Sequence, residues 1–420
     1  MTYRPALVER LFRYLAIESQ SDPRSSTLPS SPGQLVLARR LADELRGLGV
    51  EDVIQDDQAI VTGVKRGTLA GAPKIGFIAH LDTVDVGLSA SIRPQILHFD
   101  GSDLCLNEKQ DIWLRVAEHP EIQRWCGHDI IFGDGTSVLG ADNKAAIAVI
   151  MTLIEILSDG IPRGDIFVAF VPDEEIGLRG AAALDLSRFA CDFAYTIDCC
   201  ELGEFVLENF NAAYAELVFN GVSTHPMSAK GVLVNPLLMA MDFIAHFDRC
   251  DTPECTDGRQ GFFWFKDMQA SDSQARLTVL IRDFDADRFE ARKAKIKTVT
   301  RQMSEAGIGS IECRLVDNYM NIGPYLAADC RPASLLLQAF DTLGIVPKPI
   351  AMRGGTDGAV LSVRGIPTPN FFTGAHNFHS RFEFLPIHSF EKSLEVALAI
   401  AMGAQRQIGQ PRSASLQIGP

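Results

Sequence analysis

The chain has 420 residues, of which 46% are hydrophobic and 22% are charged, and its formal net charge is −14. This is the composition of an ordinary globular protein, and the length predicts two or three domains. The acidic balance argues against a nucleic-acid partner. No apolar run approaches the roughly 18 residues that cross a membrane, and the N-terminus lacks the pattern of a signal peptide. The sequence therefore predicts a cytoplasmic protein without a membrane partner.

Nine cysteines are spread along the chain. Their number is odd and no C-x-x-C pattern occurs, which argues against a disulfide framework and against a zinc site built from cysteines. Free thiols in a reducing compartment, most of them buried, are the simpler interpretation.

Helices and strands are expected to alternate through the first third of the chain. Apolar residues at helical spacing predict helices over residues 6–17 and 35–48, and short apolar runs predict strands over 53–54 and 59–63. A continuous apolar run then predicts a strand that is buried on both faces and runs from Ile75 to His80. The stretch 89–129 shows no pattern beyond a helix over 112–117. Because it is long for a connection, we expect it to fold over a site or to carry a function.

Acidic or imidazole side chains stand at the ends of several predicted elements. They are His80 and Asp82 after the first buried strand, Asp142 before a helix over 145–157, Glu174 and Glu175 after a strand over 166–171, and Asp198 at the end of a strand over 195–198. Alternating strands and helices indicate an α/β sheet, in which ligands bind at the carboxyl ends of the strands. One such ending could be a helix cap or a solvated carboxylate, but their repetition favours a common site.

The pattern changes after Asn211. Alternating residues predict strands over 215–219, 275–282 and 311–317, with a further strand segment near 261–266, and amphipathic helices are predicted over 236–247 and 287–305. The order strand–helix–strand–strand–helix–strand suits a small α+β two-layer sandwich. We therefore predict an inserted domain over residues 212–323, flanked by one discontinuous α/β domain over 1–211 and 324–420.

The α/β pattern returns in the last quarter of the chain. A helix is predicted over 333–343, and a glycine-rich turn over 353–358 opens a short helix. A strand end over 370–374 is followed by His376 and His379. The chain closes with a helix over 387–404 and a loose tail from Gln405.

Two imidazoles and several carboxylates at strand ends suit two zinc ions that share one carboxylate. One ion would take His80 and the other His379, with Asp142 between them. Asp198 and Glu175 would complete the two ligand sets. Zinc lowers the pKa of a bound water towards about 7, and two ions about 3.5–4 Å apart can clamp a carbonyl oxygen and a bridging hydroxide. The pattern thus predicts metal-assisted hydrolysis.

The two adjacent glutamates are expected to divide their roles. In an extended backbone Glu174 and Glu175 cannot point the same way, so one can bind metal while the other faces the water as a general base. Asp82 stands two residues after His80 and is expected to orient the imidazole and raise its basicity. For the glutamate dipeptide alone, a solvated pair is the simpler alternative.

Several blocks of the sequence resemble a known enzyme family. The likeness to the di-zinc aminoacylase/carboxypeptidase-type metallopeptidases is carried by the blocks Ala79–Thr83, Gly140–Ala145, Pro172–Gly177 and Thr196–Asp198. The nearer likeness is to the peptidase T group of tripeptide aminopeptidases, and it is carried by Glu208–Ala213, His225–Pro226, Ala229–Gly231, Arg353–Ala359 and Asn377–His379. The resemblance runs from the first predicted helix to the last.

The resemblance implies a zinc-peptidase-like catalytic domain with two zinc ions per subunit, together with a lid domain. The implied metal ligands, with Asp142 bridging the two ions, are His80, Asp142, Glu175, Asp198 and His379. Glu174 would be the general base, and Asp82 would lie behind His80. The block that contains His379 favours it over the nearby His376. The inserted domain over 212–323 corresponds to the lid.

By the same resemblance, three further residues would contact the substrate. His225, on the lid, would stabilise the tetrahedral oxyanion as a polarised donor. Asn209 and Arg353 would bind the peptide, and an arginine can hold a carboxylate bidentately, which favours short peptides with a free C-terminus. Without the resemblance, His225 could be a turn residue and Arg353 a surface charge.

The sequence departs from the family pattern at a few positions. Cys199 and Cys200 follow Asp198 where the family has glycines, Asn143 replaces a more usual acidic residue, and Met227–Ser228 replace smaller residues. None of these changes removes an implied ligand, so we expect the metal site to be retained. The two thiols would pack inertly or add a soft ligand. The departures bear on the preference for tripeptides.

The sequence therefore predicts a metallo-aminopeptidase that removes the N-terminal residue of tripeptides through a metal-bridging hydroxide. Short peptides are the expected partners, and a homodimer is left open. The alternatives are a related di-zinc dipeptidase, carboxypeptidase or N-acyl amino acid hydrolase. A non-catalytic peptide-binding protein would require the loss of the base or of a ligand, and these positions all carry the residue types that the chemistry needs.

Overall fold

The fold is that of a computed structural model, which describes residues 3–157, 161–306 and 309–403. In these ranges the α-helices are α1 (Arg4–Leu15), α2 (Pro32–Gly47), α3 (Ala141–Ile156), α4 (Arg179–Ala183), α5 (Pro236–Ala245), α6 (Ala286–Glu305), α7 (Gly323–Ala328), α8 (Arg331–Thr342), α9 (Asp357–Val363) and α10 (Ile387–Gly403). The tail expected from Gln405 lies outside the described residues.

The strands of the described residues are β1 (Glu51–Gln55), β2 (Val61–Lys65), β3 (Ile75–His80), β4 (Gln95–Phe99), β5 (Leu104–Asn107), β6 (Ile112–Leu114), β7 (His128–Phe132), β8 (Ile166–Val171), β9 (Phe193–Cys199), β10 (Glu204–Asn209), β11 (Asn211–Asn220), β12 (Phe262–Ala270), β13 (Gln274–Asp283), β14 (Ser310–Tyr319), β15 (Lys348–Met352), β16 (Asn370–Phe372) and β17 (Phe384–Pro386). The predicted strand from Ile75 to His80 is confirmed with the same bounds.

The chain divides into two compact units. The first unit comprises the described residues of Met1–Leu207, Ile322–Ile350 and Thr356–Pro420, and the second comprises those of Glu208–Asn321 and Ala351–Gly355. Compared with the inserted domain that the sequence predicts over 212–323, the second unit begins four residues earlier, ends two residues earlier and adds part of the glycine-rich turn. The role of this unit as a lid stays a prediction.

A mixed sheet forms the centre of the first unit, in the strand order β1-β2-β8-β3-β9-β16-β10-β15. The central strands β8, β3, β9 and β16 are parallel, whereas β2 pairs antiparallel with β1 and β8. Every residue of β3 and β8 is buried, as is typical of parallel strands that are covered on both faces. The α/β fold with a mixed central sheet flanked by helices is therefore confirmed.

Helix α3 packs against the strands β3 and β9 of this sheet and against the helices α1 and α10. Residues 141–154 of the helix are all buried. A helix that is apolar on every side belongs in a core rather than at a surface. Its first turn meets the carboxyl end of β3, where His80 contacts Asp142.

The stretch 89–129 forms small sheets instead of the expected helix. β7 pairs antiparallel with β4 and with β17, and β5 pairs with β6. The helix predicted over 112–117 is wrong, because Ile112 and Leu114 are alternate buried residues of β6 and pack in a cluster with Trp125 and Phe384. A strand of three residues is too short to show its two-residue period in the sequence.

The second unit is an antiparallel sheet in the order β12-β13-β11-β14, against which α5 and α6 pack. Alternate residues of β13 are buried, and they join Phe219, Phe243 and Phe289 in one hydrophobic cluster. The chain order β11-α5-β12-β13-α6-β14 is the predicted order of strands and helices. The two-residue period of the strands and the amphipathic helices allowed this prediction.

No disulfide bond joins cysteines in the described part of the chain. The prediction that most thiols are buried is wrong, since Cys199 and Cys330 are buried whereas Cys126, Cys250 and Cys255 are exposed. Within the same ranges, no helix is both long enough and apolar enough to cross a bilayer.

Candidate metal centre

The carboxylate of Asp142 lies between two imidazoles. Its Oδ1 is 3.0 Å from Nε2 of His80, and its Oδ2 is 3.1 Å from Nε2 of His379. Each carboxylate oxygen therefore faces one ring nitrogen, as in a carboxylate that bridges two cations. The two pairs are 62 and 237 residues apart in the sequence, so only the fold brings these three side chains together.

Two further carboxylates stand beside the histidines. Oε1 of Glu175 lies 3.0 Å from Nε2 of His379, and Oδ1 of Asp198 lies 3.9 Å from Nε2 of His80. One ligand atom from each of His80, Asp142 and Glu175 falls within 4.8 Å of the others. The structure therefore brings the five expected metal ligands together in one candidate site.

The parallel sheet explains why these side chains meet. His80 is the last residue of β3, Asp198 lies next to the end of β9, and Glu175 follows β8. Because β3 pairs in parallel with both β8 and β9, the carboxyl ends of the three strands share one edge. Asp142 comes from the first turn of α3, and His379 comes from the loop before β17, where its φ is +62°.

Hydrogen bonds among the two histidines and their carboxylate partners shift the pKa values of these side chains. Burial lowers the pKa of His80, but hydrogen bonds with Asp142 and Asp82 outweigh burial and raise this pKa well above its usual value. Hydrogen bonds with Asp142 and Glu175 raise the pKa of His379 to about 10. Burial raises the pKa of Asp142, but hydrogen bonds from both histidines outweigh it and lower this pKa below its usual range. The central carboxylate is thus held ionised.

In the other carboxyl groups, the attraction of the histidines does not outweigh burial. Burial raises the pKa values of Glu174, Glu175 and Asp198, and repulsion from neighbouring carboxylates raises them further. Desolvated carboxylates together with two imidazoles form a donor set that suits divalent cations. Two cations would neutralise the negative charge, so the residues present fit a dinuclear metal centre.

The two glutamates lie in a turn after β8. The main-chain N–H groups of Gly177 and Leu178 donate to the carbonyl oxygen of Glu174 at 3.0 and 2.9 Å. The expected extended backbone at these two residues is therefore wrong. The two side chains nevertheless differ in their partners, because of these two glutamates only Glu175 forms an ion pair with His379 among the described residues.

Asp82 is buried and connects the end of β3 to this turn. Its Oδ1 and Oδ2 accept hydrogen bonds from the main-chain N–H groups of Glu174 and Glu175 at 3.0 and 3.2 Å. Nδ1 of His80 lies 3.0 Å from the carbonyl oxygen of Asp82 and 3.4 Å from its Oδ1. The main-chain carbonyl is therefore the nearer acceptor for the imidazole, and the carboxylate chiefly holds the turn.

Two asparagines hold Asp198, and sequence reasoning assigned a role to neither. Nδ2 of Asn143 donates to Oδ1 of Asp198 and to the carbonyl oxygen of Ile197, both at 2.8 Å. Oδ1 of Asn370 accepts a hydrogen bond from the main-chain N–H of Asp198 at 2.7 Å. The departure from the family pattern at Asn143 thus places a donor beside an expected ligand.

Two buried carboxyl groups near the centre were also missed. Glu383 accepts hydrogen bonds from the main-chain N–H groups of Gly140 and Asp142, and burial and the charge of Asp142 raise its pKa to about 8. Burial raises the pKa of Asp357 to about 7, and repulsion from Asp82 adds to this shift. Asp357 lies in the glycine-rich turn that the sequence singled out, whereas nothing local marked Glu383.

The thiols after Asp198 remain protonated. Burial raises the pKa of both Cys199 and Cys200 above the usual range, and nearby carboxylates raise both further. A metal ligand must be a thiolate, and a raised pKa disfavours that form. This supports the expectation of inert packing over that of a soft ligand.

Three of the expected functional residues lie in the second unit. His225 is exposed, and its Nδ1 accepts a hydrogen bond from the main-chain N–H of Met227 at 3.2 Å. Asn209 is buried, and its Nδ2 donates to the carbonyl oxygens of Phe210 and Met320 at 2.9 and 3.3 Å. The side-chain amide of Asn209 is therefore engaged within its own unit.

Arg353 is the third of these residues and is also engaged within the second unit. Its Nη1 donates to the carbonyl oxygens of Gly258 and Gln260 at 3.2 and 3.0 Å, and its Nη2 donates to Oγ1 of Thr256 at 2.9 Å. The guanidinium also lies over two phenylalanine rings, 5.2 and 5.3 Å from their centroids. The side chain thus anchors the segment around Gly258.

The sequence matches the family model described as peptidase family M20/M25/M40 over residues 130–403. The chain is 68% identical over 401 residues to a peptidase T-like protein of Rhizobium meliloti, covering 95% of this chain and 98% of that protein. It is 42% identical over 399 residues to peptidase T of Caldanaerobacter subterraneus, covering 94% of this chain and 97% of that enzyme.

Solved structures share the fold. The aminopeptidase PepT of Bacillus cereus superposes with a TM-score of 0.74 at 23% identity, over 96% of this chain and 99% of that one. A dinuclear metal-binding peptidase of the M20 family from Bacillus subtilis superposes with a TM-score of 0.62 at 14% identity, over 97% of this chain and 99% of that one. Both likenesses extend over nearly the whole length of this chain.

Proposed function

The chain belongs to peptidase family M20/M25/M40 and is homologous to peptidase T over nearly its full length, and on this premise we propose that it is a zinc-dependent tripeptide aminopeptidase. The observation that carries the proposal is the Asp142 carboxylate, which lies 3.0 Å from one imidazole and 3.1 Å from another. Its two oxygens face separate nitrogen donors, as a bridging ligand must.

In the proposed centre, the bridging Asp142 joins His80 and Asp198 on one side to Glu175 and His379 on the other. The division follows from the distances, because Asp198 lies on the side of His80 whereas Glu175 contacts His379. Two zinc ions held there would supply Lewis-acid polarisation of the scissile carbonyl and an acidified water at neutral pH. The protein would supply the proton transfers and the orientation of the peptide.

Glu174 is proposed as the general base. The turn fixes its main chain through the hydrogen bond from its N–H to Asp82, while the neighbouring Glu175 faces His379. Its own carboxylate therefore remains outside the ligand set and can take a proton from the attacking water. The same carboxyl group would return this proton to the leaving amine, as a shuttling acid–base group does.

His225 is proposed to stabilise the oxyanion. Its Nδ1 accepts a hydrogen bond from the N–H of Met227, so the ring carries its own N–H on Nε2. The exposed Nε2–H group is then available as a donor to a developing negative charge. Removal of one such donor typically slows an enzyme about 10²–10³-fold.

Short peptides are the proposed substrates, with Asn209 and Arg353 as binding groups. A guanidinium suits the C-terminal carboxylate of a peptide, and such a contact would favour substrates of fixed, short length. Because Arg353 also holds three acceptors of its own unit, a substrate carboxylate would have to share or displace one of these hydrogen bonds.

The test is hydrolysis of a matched dipeptide, tripeptide, tetrapeptide and N-acetylated tripeptide by the zinc-loaded protein. Glu174→Gln is the inactive variant, and Glu155→Gln, at the far end of α3 where the carboxylate pairs with Arg10, is the matched control. We expect cleavage of the free-amine tripeptide that Glu174→Gln loses and Glu155→Gln retains. Cleavage of the acetylated peptide or of the dipeptide instead would indicate an N-acyl amino acid hydrolase or a dipeptidase. No cleavage by the zinc-loaded protein would overturn the proposal.

A further inference from the structure

Glu383 joins the segment that carries His379 to the segment that carries Asp142. Its side chain is buried, with 1% of its surface exposed. Oε2 accepts a hydrogen bond from the main-chain N–H of Gly140 at 2.7 Å, and Oε1 accepts one from the main-chain N–H of Asp142 at 3.1 Å. Both oxygens of one carboxylate are thus used to hold the backbone at the centre of the candidate metal site.

The backbone at Asp142 needs such a support. Gly140 has a φ of +73°, and Asp142 and Asn143 have ψ values of 100° and 20°, so the chain is not helical at the start of α3. The first N–H groups of a helix have no partner within the helix, and buried N–H groups without a partner are costly. Glu383 supplies the acceptor for two of these groups.

Glu383 is itself held rigidly. Its main-chain N–H donates to the carbonyl oxygen of Ser380 at 3.1 Å. The next residue, Phe384, is fully buried and exchanges main-chain hydrogen bonds of 2.8 and 3.1 Å with His376. These bonds close the loop that contains His379. Glu383 therefore provides a fixed point on this loop, from which the position of Asp142 relative to His379 is determined.

We propose that Glu383 is a positioning residue that sets the Asp142 carboxylate between its two imidazoles and thereby governs the binding of both metal ions. The inference rests on the proposed dinuclear centre. A shift of Asp142 would disturb both ions, since both would share its carboxylate. Asn143 provides the contrast, because its Nδ2 donates to Asp198 on one side of the site only.

The experiment measures zinc binding to the metal-free full-length protein by competition with a chromophoric chelator. Glu383→Gln keeps the shape of the side chain but presents an amide N–H to a main-chain N–H. We expect weaker binding of both zinc ions, by about 10–100-fold, as for other groups that orient metal ligands. In Asn143→Ala we expect weaker binding of one ion, with the other unchanged. Tripeptide hydrolysis by the wild-type protein is measured in parallel.

The thermal unfolding of the metal-free variants separates positioning from structural support. A purely structural role for Glu383 would lower the unfolding temperature but leave the zinc affinity of the folded protein unchanged, and this result would overturn the proposal. Weakening of a single ion in Glu383→Gln would overturn it too. A wild-type protein that binds two zinc ions without cleaving tripeptides would count against the proposed function and leave this inference standing. If Glu383→Gln does not fold, Glu383→Asp carries the test, with the same two-ion weakening expected and wild-type affinity contradicting it.

Discussion

Oδ1 of Asp82 accepts a hydrogen bond from the main-chain N–H of Glu174 at 3.0 Å. Oδ2 of the same carboxylate accepts a hydrogen bond from the main-chain N–H of Glu175 at 3.2 Å, and Nδ1 of His80 lies 3.4 Å from Oδ1. One buried side chain thus sets the position of a proposed ligand at the end of β3 and of the proposed base after β8. In the proposed mechanism, this side chain would link the binding of metal to proton transfer.

Replacement of this carboxylate should impair both functions. Asp82→Ala leaves two main-chain N–H groups without their acceptor, which costs about 1–3 kcal/mol for each buried group. We expect zinc affinity and tripeptide hydrolysis each to fall by about 10–100-fold, with a lower free energy of unfolding in urea. The matched control is Asp192→Ala, whose carboxylate accepts the main-chain N–H of Lys74 at the opposite end of β3. Zinc affinity that changes equally in both variants would contradict the prediction.

Removal of metal should destabilise the first unit. Burial and mutual repulsion raise the pKa values of Glu174, Glu175 and Asp198, and bound cations would relieve that repulsion. A ligand present at 1,000 times its dissociation constant stabilises the folded state by about 4 kcal/mol. We therefore expect calorimetry to show a lower unfolding temperature in the presence of a chelator. Added zinc should restore both the unfolding temperature and the hydrolysis of tripeptides. An unfolding temperature that does not respond to either addition would argue against a metal centre here.

Four of the five expected ligands could be read from the sequence, because each ends or follows a buried apolar strand or opens a buried helix. His80, Glu175 and Asp198 stand at the carboxyl ends of parallel strands, and such ends converge whatever the loops between them do. The local pattern of apolar residues was therefore enough to find these four. For His379, in the loop before β17, only the resemblance of its block to the family favours it over His376. The same reasoning produced the order of elements in the second unit.

Glu383 and the small sheets of 89–129 could not be read in this way. The hydrogen bond from Gly140 to Glu383 spans 243 residues, and no periodic pattern marks a side chain whose partners are main-chain groups so far away. In β6 only Ile112 and Leu114 point into the core, which is too little for a period to show. Contacts that depend on loops rather than on strand ends need the structure.

Arg353 should contribute to stability as well as to substrate binding. Lysine cannot reproduce the planar donors that reach Gly258, Gln260 and Thr256, and hydrogen bonds of charged groups contribute about 1.5–3 kcal/mol each. We expect Arg353→Lys to lower the free energy of unfolding by about 2 kcal/mol and to raise KM for a tripeptide but not for its C-terminal amide. The control is Arg276→Lys, an exposed arginine of β13. An equal rise in KM for the tripeptide and for its amide would show that Arg353 does not bind the C-terminal carboxylate of the substrate.

His376 should make the protein less stable in mild acid. Its Nε2 accepts a hydrogen bond from the indole N–H of Trp125 at 3.1 Å, and its ring stacks on Phe384. Burial lowers the pKa of His376 from 6.5 to about 4, although Glu201 opposes the shift. The unfolded chain therefore takes up a proton below about pH 6.5 that the folded protein does not take up until about pH 4.

The stabilising contribution of neutral His376 is thus present above pH 6.5 and is lost as the pH falls towards 4, by about 3 kcal/mol in total. His376→Gln keeps an acceptor for Trp125 but does not titrate, so its free energy of unfolding should fall less steeply with acidification than that of the wild type. Urea unfolding in chelator at a series of pH values between about 7 and 4 measures this slope without a contribution from metal binding. His98→Gln, which replaces an exposed histidine that pairs with Asp129, is the matched control. If the His376→Gln slope equals that of the wild type, the buried imidazole is not the group that destabilises the fold in acid.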